Sequence, residues 1–189
     1  MKELHYIMAA PWTGMNHLAN IVGTAQEFRN SLNPETVLEF YKNNDEQKFH
    51  FYNKMHLDRL KAVADMPEGR YLLYGHFADF VSVYDLIKDK LKKVIVLEFP
   101  YDQGTKAFQR VKQNAEIKEY YLGEQYILYK LDTMKKLIDC EIEDLPIDFF
   151  HNIEPMQMFD KIDNFFNIKI NRLIALKLHP IWLRKAFRE

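Results

Sequence analysis

The sequence predicts a three-layer α/β fold, a mostly parallel sheet of about four strands flanked by helices, from three observations. Short apolar runs at Leu4–Ala9, Arg70–Tyr74 and Lys93–Leu97 read as buried strands. Stretches with apolar residues at three- and four-residue steps lie between them. The run at Lys93–Leu97 is β-branched and almost continuous, as expected of a parallel strand covered on both faces. Strands that alternate with helices argue a doubly wound parallel sheet.

Leu4–Ala9 is closed by Pro11, and from Gly14 the pattern becomes helical, with Met15, Leu18, Ile21 and Val22 on one face. Asn33 followed by Pro34 opens a second helix to Tyr41, since Pro suits a first turn and Asn can cap it. Phe49, Tyr52, Met55, His56, Leu60 and Val63 mark an amphipathic helix that ends before Pro67. After the strand Arg70–Tyr74, Gly75 and His76 are expected just past its carboxyl end. A helix from Asp79 to Leu91 follows, with Phe80, Val83, Leu86, Ile87 and Leu91 as its apolar stripe. Beyond Lys93–Leu97, a long helical stretch is expected from Gln103 to about Lys136, a fourth strand at Leu137–Glu143, and closing helices at Pro155–Phe166 and Ile170–Phe187. There is no internal repeat and no linker, so residues 1–189 read as a single domain.

Composition bounds the function. With 48% hydrophobic and 14% aromatic residues, a chain of 189 residues can bury a sizeable core. Lys and Arg total 26 against 27 Asp and Glu, so no global field draws the chain to nucleic acid or an anionic membrane. The lone Cys140 excludes an intramolecular disulfide, the start of the chain is too short and polar for a signal peptide, and no apolar run approaches the ~20 residues of a span. A cytoplasmic protein without a nucleic-acid or membrane partner is the expectation. Neither His50 with His56 nor Cys140 has metal-ligand spacing, and Ser31 and Ser82 lack a nucleophile elbow.

In parallel sheets ligands bind at the carboxyl ends of the strands, near the reversal in strand order. Three segments converge there: 10–17, 75–79 and 98–106. In the first, Pro11, Trp12, Thr13, Gly14, Met15, Asn16, His17 and Leu18 make a tight strand-to-helix turn. Its consecutive N–H groups and the positive end of the helix dipole suit a phosphate, and Thr13, Asn16 and His17 add side-chain donors. A well-capped helix start without a ligand explains the same residues.

This turn resembles the phosphate loop of the P-loop sulfotransferase family, which reads approximately Pro-Lys-Thr/Ser-Gly-x-Thr/Ser-x-Leu. Pro11, Thr13, Gly14, Asn16 and Leu18 fall in register with it, and Trp12 stands where the family has its lysine. Tyr71 to Phe77 resembles the strand followed by Gly-His-Phe in carbohydrate-sulfating members, and this resemblance makes His76 the candidate general base, with Asp79 and Asp85 as alternatives. The family's 3′-phosphate motif follows a central strand; here Leu97, Pro100 and Asp102 match it. Glu98 takes the first arginine position, Phe99 the aspartate, Gln103 the second arginine and Lys106 the serine. Thr105 and Lys106 are left to offset the lost cations. Met158–Ile168 resembles the family's late helix, and Leu178–Leu183 the ending of some members. The resemblance implies sulfuryl transfer from 3′-phosphoadenosine-5′-phosphosulfate (PAPS) to a hydroxyl or amine of a carbohydrate or small molecule, with Trp12, Thr13, Gly14, Met15, Asn16, His17, Thr105 and Lys106 around the cofactor and no metal. A lapsed member that keeps the fold as a binding module, or a site for another phosphorylated ligand, is the competing expectation.

Overall fold

A computed structural model describes residues 1–9, 15–42, 65–98, 132–146 and 155–178. Four strands form one all-parallel sheet in the order β2-β1-β3-β4. They are β1 (Lys2–Ala9), β2 (Gly69–His76), β3 (Leu91–Glu98) and β4 (Glu141–Pro146). The helices named here are α1 (Met15–Val22), α2 (Pro34–Lys42), α3 (Phe77–Ile87) and α4 (Pro155–Phe166), with further helical residues at 132–137 and 172–178. The α/β reading therefore holds.

Period-two alternation divides the core between the two faces of the sheet. Ile7, Leu72, Ile95, Leu97 and Leu145 point to one face and are covered by α1, α2, α4 and residues 174–178. Tyr6, Met8, Leu73, Val94 and Val96 point to the other, under Phe80, Val83 and Ile87 of α3 and under Met134 and Ile138. Each fully buried Val, Leu or Ile of this kind contributes about 1.5–3 kcal/mol. The described helices between β1 and β2 lie on the first face, and α3, between β2 and β3, on the second. Opposite directions of travel require opposite faces if both crossovers are right-handed. The strand order thus reverses between β1 and β3.

Both sheet edges are dressed. On β2 the Asn30 side chain imitates a strand, donating to Leu72 O at 2.7 Å and accepting from Leu72 N at 3.0 Å. On β4 the acidic residues are paired: Glu141 with Lys93 at 3.0 Å, Asp144 with Lys135 at 2.8 Å, and Glu143 with Lys161. Charged edges resist pairing with another chain.

Several boundaries differ from the sequence expectation. Gly75 and His76 do not lie past β2; they continue its ladder, opposite Met8 and Ala9. The expected helix Asp79–Leu91 begins instead at Phe77 and ends at Ile87; Leu91 opens β3, and Leu86 is 59% exposed. The fourth strand is not Leu137–Glu143 but Glu141–Pro146. Leu137 ends the helical stretch 132–137 and Ile138 follows it; Met134 and Ile138 pack on the second face, and Tyr84 Oη donates to Leu137 O at 2.5 Å. The expected helix over 49–63 and most of the one from Gln103 lie outside the described residues, as do residues 179–187 of the last. Pro155–Phe166 is helical as expected.

Candidate functional site

The carboxyl edge of the sheet is defined by one row of residues. Ala9 ends β1 with His76 opposite it on β2 and Leu97 opposite it on β3, and Leu97 in turn faces Leu145. Strand spacing sets His76 and Leu97 about 10 Å apart across β1. Residues 10–14 lie outside the described residues, and α1 begins at Met15 on the first face. Glu98 is the last residue of β3. The reversal in strand order falls between β1 and β3, so Ala9 and Glu98, which end these two strands, lie at the position where parallel sheets hold their ligands.

Strand β2 runs into α3 without a loop, His76 being the last strand residue and Phe77 the first helical one. His76 shares its sheet face with Leu72 and Tyr74, the face covered by α1. Its ring is half-buried, with Nδ1 shielded from solvent. Helix α1 lies on the first face and α3, which follows β2 directly, on the second, and the first-turn N–H groups of each have no acceptor within their own helix. Their partial positive charge favours an anion in this region.

Of the residues expected around a cofactor, Met15, Asn16 and His17 are described; Trp12, Thr13, Gly14, Thr105 and Lys106 lie outside the described residues. The Met15 side chain is 3% exposed and belongs to the core, which leaves only its backbone N–H for a ligand. Asn16 is half-buried, and its Oδ1 has no hydrogen-bond partner among the described residues. His17 turns to α2: its Nδ1 is hydrogen-bonded to the Tyr41 hydroxyl, with ring centroids 5.2 Å apart. Asn20, one turn further along α1 and 5% exposed, bonds the same hydroxyl. Burial raises the Tyr41 phenol well above its ordinary value, and the bond from Asn20 only partly opposes this.

No protein-family model and no curated protein matches this chain.

Tyr41 and Asn20 were not singled out by sequence reasoning. One signal was present: Asn20 is a polar residue inside the otherwise apolar run from Leu18 to Val22. Among the described residues no three His, Cys, Asp or Glu gather as a metal site, and no helix is long and apolar enough to cross a membrane. The Cys140 thiol is pushed up to about 11 by burial, then by Asp139 and Glu141, which disfavours a reactive thiolate.

Proposed function

We propose that this chain is a divergent, compact sulfotransferase-like protein, transferring a sulfuryl group from PAPS to a hydroxyl or amine of a carbohydrate or small molecule. The observation that supports this most is the row at the carboxyl edge. The turn resembling a phosphate loop leaves from Ala9, with the candidate base His76 on one flank and the end of β3 on the other.

The residues fit one end of PAPS. The first-turn N–H groups of α1, at Met15, Asn16 and His17, suit the phosphate next to the sulfuryl group. When bound, PAPS supplies an activated sulfuryl group and a phosphate able to leave. His76 would take the proton of the acceptor hydroxyl, whose oxygen would replace the phosphate oxygen on the sulfuryl group that PAPS would supply. The N–H groups of α1 hold the charge that develops on the departing oxygen, and none of these steps calls on a metal. The 3′-phosphate end does not fit equally well, because Glu98 ends β3 where the family carries an arginine. A carboxylate opposes a dianion. That one residue favours a second reading, in which the pocket takes another phosphorylated ligand or the fold persists as a binding module.

Calorimetric titration with 3′-phosphoadenosine-5′-phosphate tests the assignment. Weak binding is expected for the native chain, improved by about 1.5–3 kcal/mol in Glu98→Arg, the scale of a charge-assisted hydrogen bond. Trp12→Lys should add to the gain. No binding by either the native chain or the double variant would remove the sulfotransferase reading. Once binding is seen, His76→Ala should abolish transfer while retaining the nucleotide; unchanged transfer would exclude His76 as base.

A further inference from the structure

Two aromatic rings close over His5, and they are fastened in different ways. The His5 ring is 1% exposed, lies edge-on to Phe28 and Phe166, and has no hydrogen-bond partner for either nitrogen among the described residues. Phe28 belongs to a segment tied to β2: Arg29 N donates to Arg70 O at 2.8 Å, and the Asn30 amide bonds both the N–H and the carbonyl of Leu72. Phe166 is the last residue of α4, and Asn167 after it takes the left-handed conformation with φ 53°. The described bonds from the sheet to this end come from side chains, Arg70 reaching Phe166 O and Asn167 O, and Lys93 reaching Phe165 O.

Those two cations flank His5. Lys93 is its partner on β3 and Arg70 is diagonal to it on β2, all three on the first face. The carboxylates of that face on the described strands, Glu3, Glu141 and Glu143, are matched to Arg70, Lys93 and Lys161. On α4, Asp160 and Asp163 share Arg172; beside Phe28, Glu27 and Arg29 are exposed. A proton on His5 therefore adds a third positive charge where two already stand, and burial without a hydrogen bond penalises that charge further. Burial first, then Arg70 and Lys93, lower the pKa from 6.5 to about 4.

We propose that His5 is an acid-sensitive latch on the first face: protonating it releases the end of α4, with Phe166 leaving the ring while Phe28 and the sheet stay in place. This rests on the packing around His5 and is independent of the sulfuryl-transfer reading. Opening lets water reach the ring at the loss of one helix end's contacts, less than unfolding forfeits. Below pH 6.5 the open form binds the proton and the closed form does not, so each pH unit down to about 4 favours the open form up to ten-fold.

Amide hydrogen exchange of the full chain between pH 7 and pH 5, corrected for the intrinsic rate at each pH, reads this opening. In the native chain the last-turn amides of α4, 163–166, are expected to be less protected than those of β1 and to lose protection by up to about ten-fold per pH unit below 6.5. In His5→Leu the same amides should keep a constant protection. Protection equal to that of β1 at every pH would show that α4 leaves only when the whole chain unfolds, and would overturn the latch. So would protection in the native chain that ignores pH, or an equal fall in His5→Leu. Burial also raises the pKa of Asp163, so Asp163→Asn supplies a second reading even if His5→Leu does not fold. The fall should persist in it; its disappearance would transfer the acid response to Asp163 and overturn the proposal.

Discussion

His5, in the middle of the first face, is 1% exposed, and neither ring nitrogen has a hydrogen-bond partner among the described residues. It sits edge-on to Phe28 and Phe166, with centroids 5.8 and 5.3 Å away. Burial first, then Arg70 and Lys93, lower its pKa from 6.5 to about 4. Between these values the unfolded chain binds the proton and the folded chain does not, so stability falls as pH drops through this window. The loss approaches about 3 kcal/mol once the pH is below the folded value. Urea midpoints measured from pH 7 to pH 4 should show this slope, and His5→Leu should flatten it; an equal slope in the variant would place the acid sensitivity elsewhere. Nothing in the sequence marked His5, because a strand pattern records that a position is covered and not what covers it. His76 was legible only as a residue near the carboxyl end of a strand; local order put it past that end, whereas it is the last residue of β2. Tyr41 was not, because it meets His17 across 24 residues.

The helices that cover the first face are fixed at their ends by side chains. Asn33 Oδ1 accepts from the N–H groups of Glu35 at 2.8 Å and Thr36 at 3.2 Å, a cap that the Asn33-Pro34 sequence predicts. Asn33→Ala should cost about 1 kcal/mol in thermal or urea unfolding, whereas a loss indistinguishable from zero would mean that water replaces the cap. At the far end of α4, Arg70 donates to Asn167 O at 2.9 Å and Phe166 O at 2.8 Å, and Lys93 to Phe165 O at 2.7 Å. Two cations from the sheet thus meet the negative end of the helix dipole. Arg70→Met should cost about 1.5–3 kcal/mol, the worth of hydrogen bonds from a charged donor, read by loss of amide protection in α4. The local signals, Asn-Pro at a helix start and the run at Lys93–Leu97, gave elements close to those observed. β4 was misplaced because half of its own residues are acidic and its neighbours Met134 and Ile138 are apolar. Edge-strand charge and helix-face apolarity exchange their usual signals there, and only the pairing of Lys93 with Glu141 and of Lys135 with Asp144 resolves them.

Across the whole molecule, a ligand at the carboxyl edge would couple α1, α3 and the end of β3, so its binding should raise resistance to unfolding of the entire sheet. At a concentration one hundred times Kd, mass action adds about 2.7 kcal/mol. For a chain of this size that corresponds to a rise in melting temperature of roughly 5–10 °C. Scanning calorimetry with the product nucleotide should show a rise that is larger in Glu98→Arg than in the native chain, while inorganic phosphate raises both alike. An identical response of the two proteins to the nucleotide would mean that Glu98 does not face it. The strand order has one more consequence, which belongs to synthesis. β1 is made first, yet both its neighbours, β2 and β3, come far later in the chain. At translation rates of 5–20 residues per second, roughly 3–13 s separate the addition of Ala9 from that of His76. Throughout that interval an apolar strand destined for the middle of the sheet has neither partner, and slowing elongation between residues 10 and 69 would lengthen its exposure to chaperones and to strands of other nascent chains.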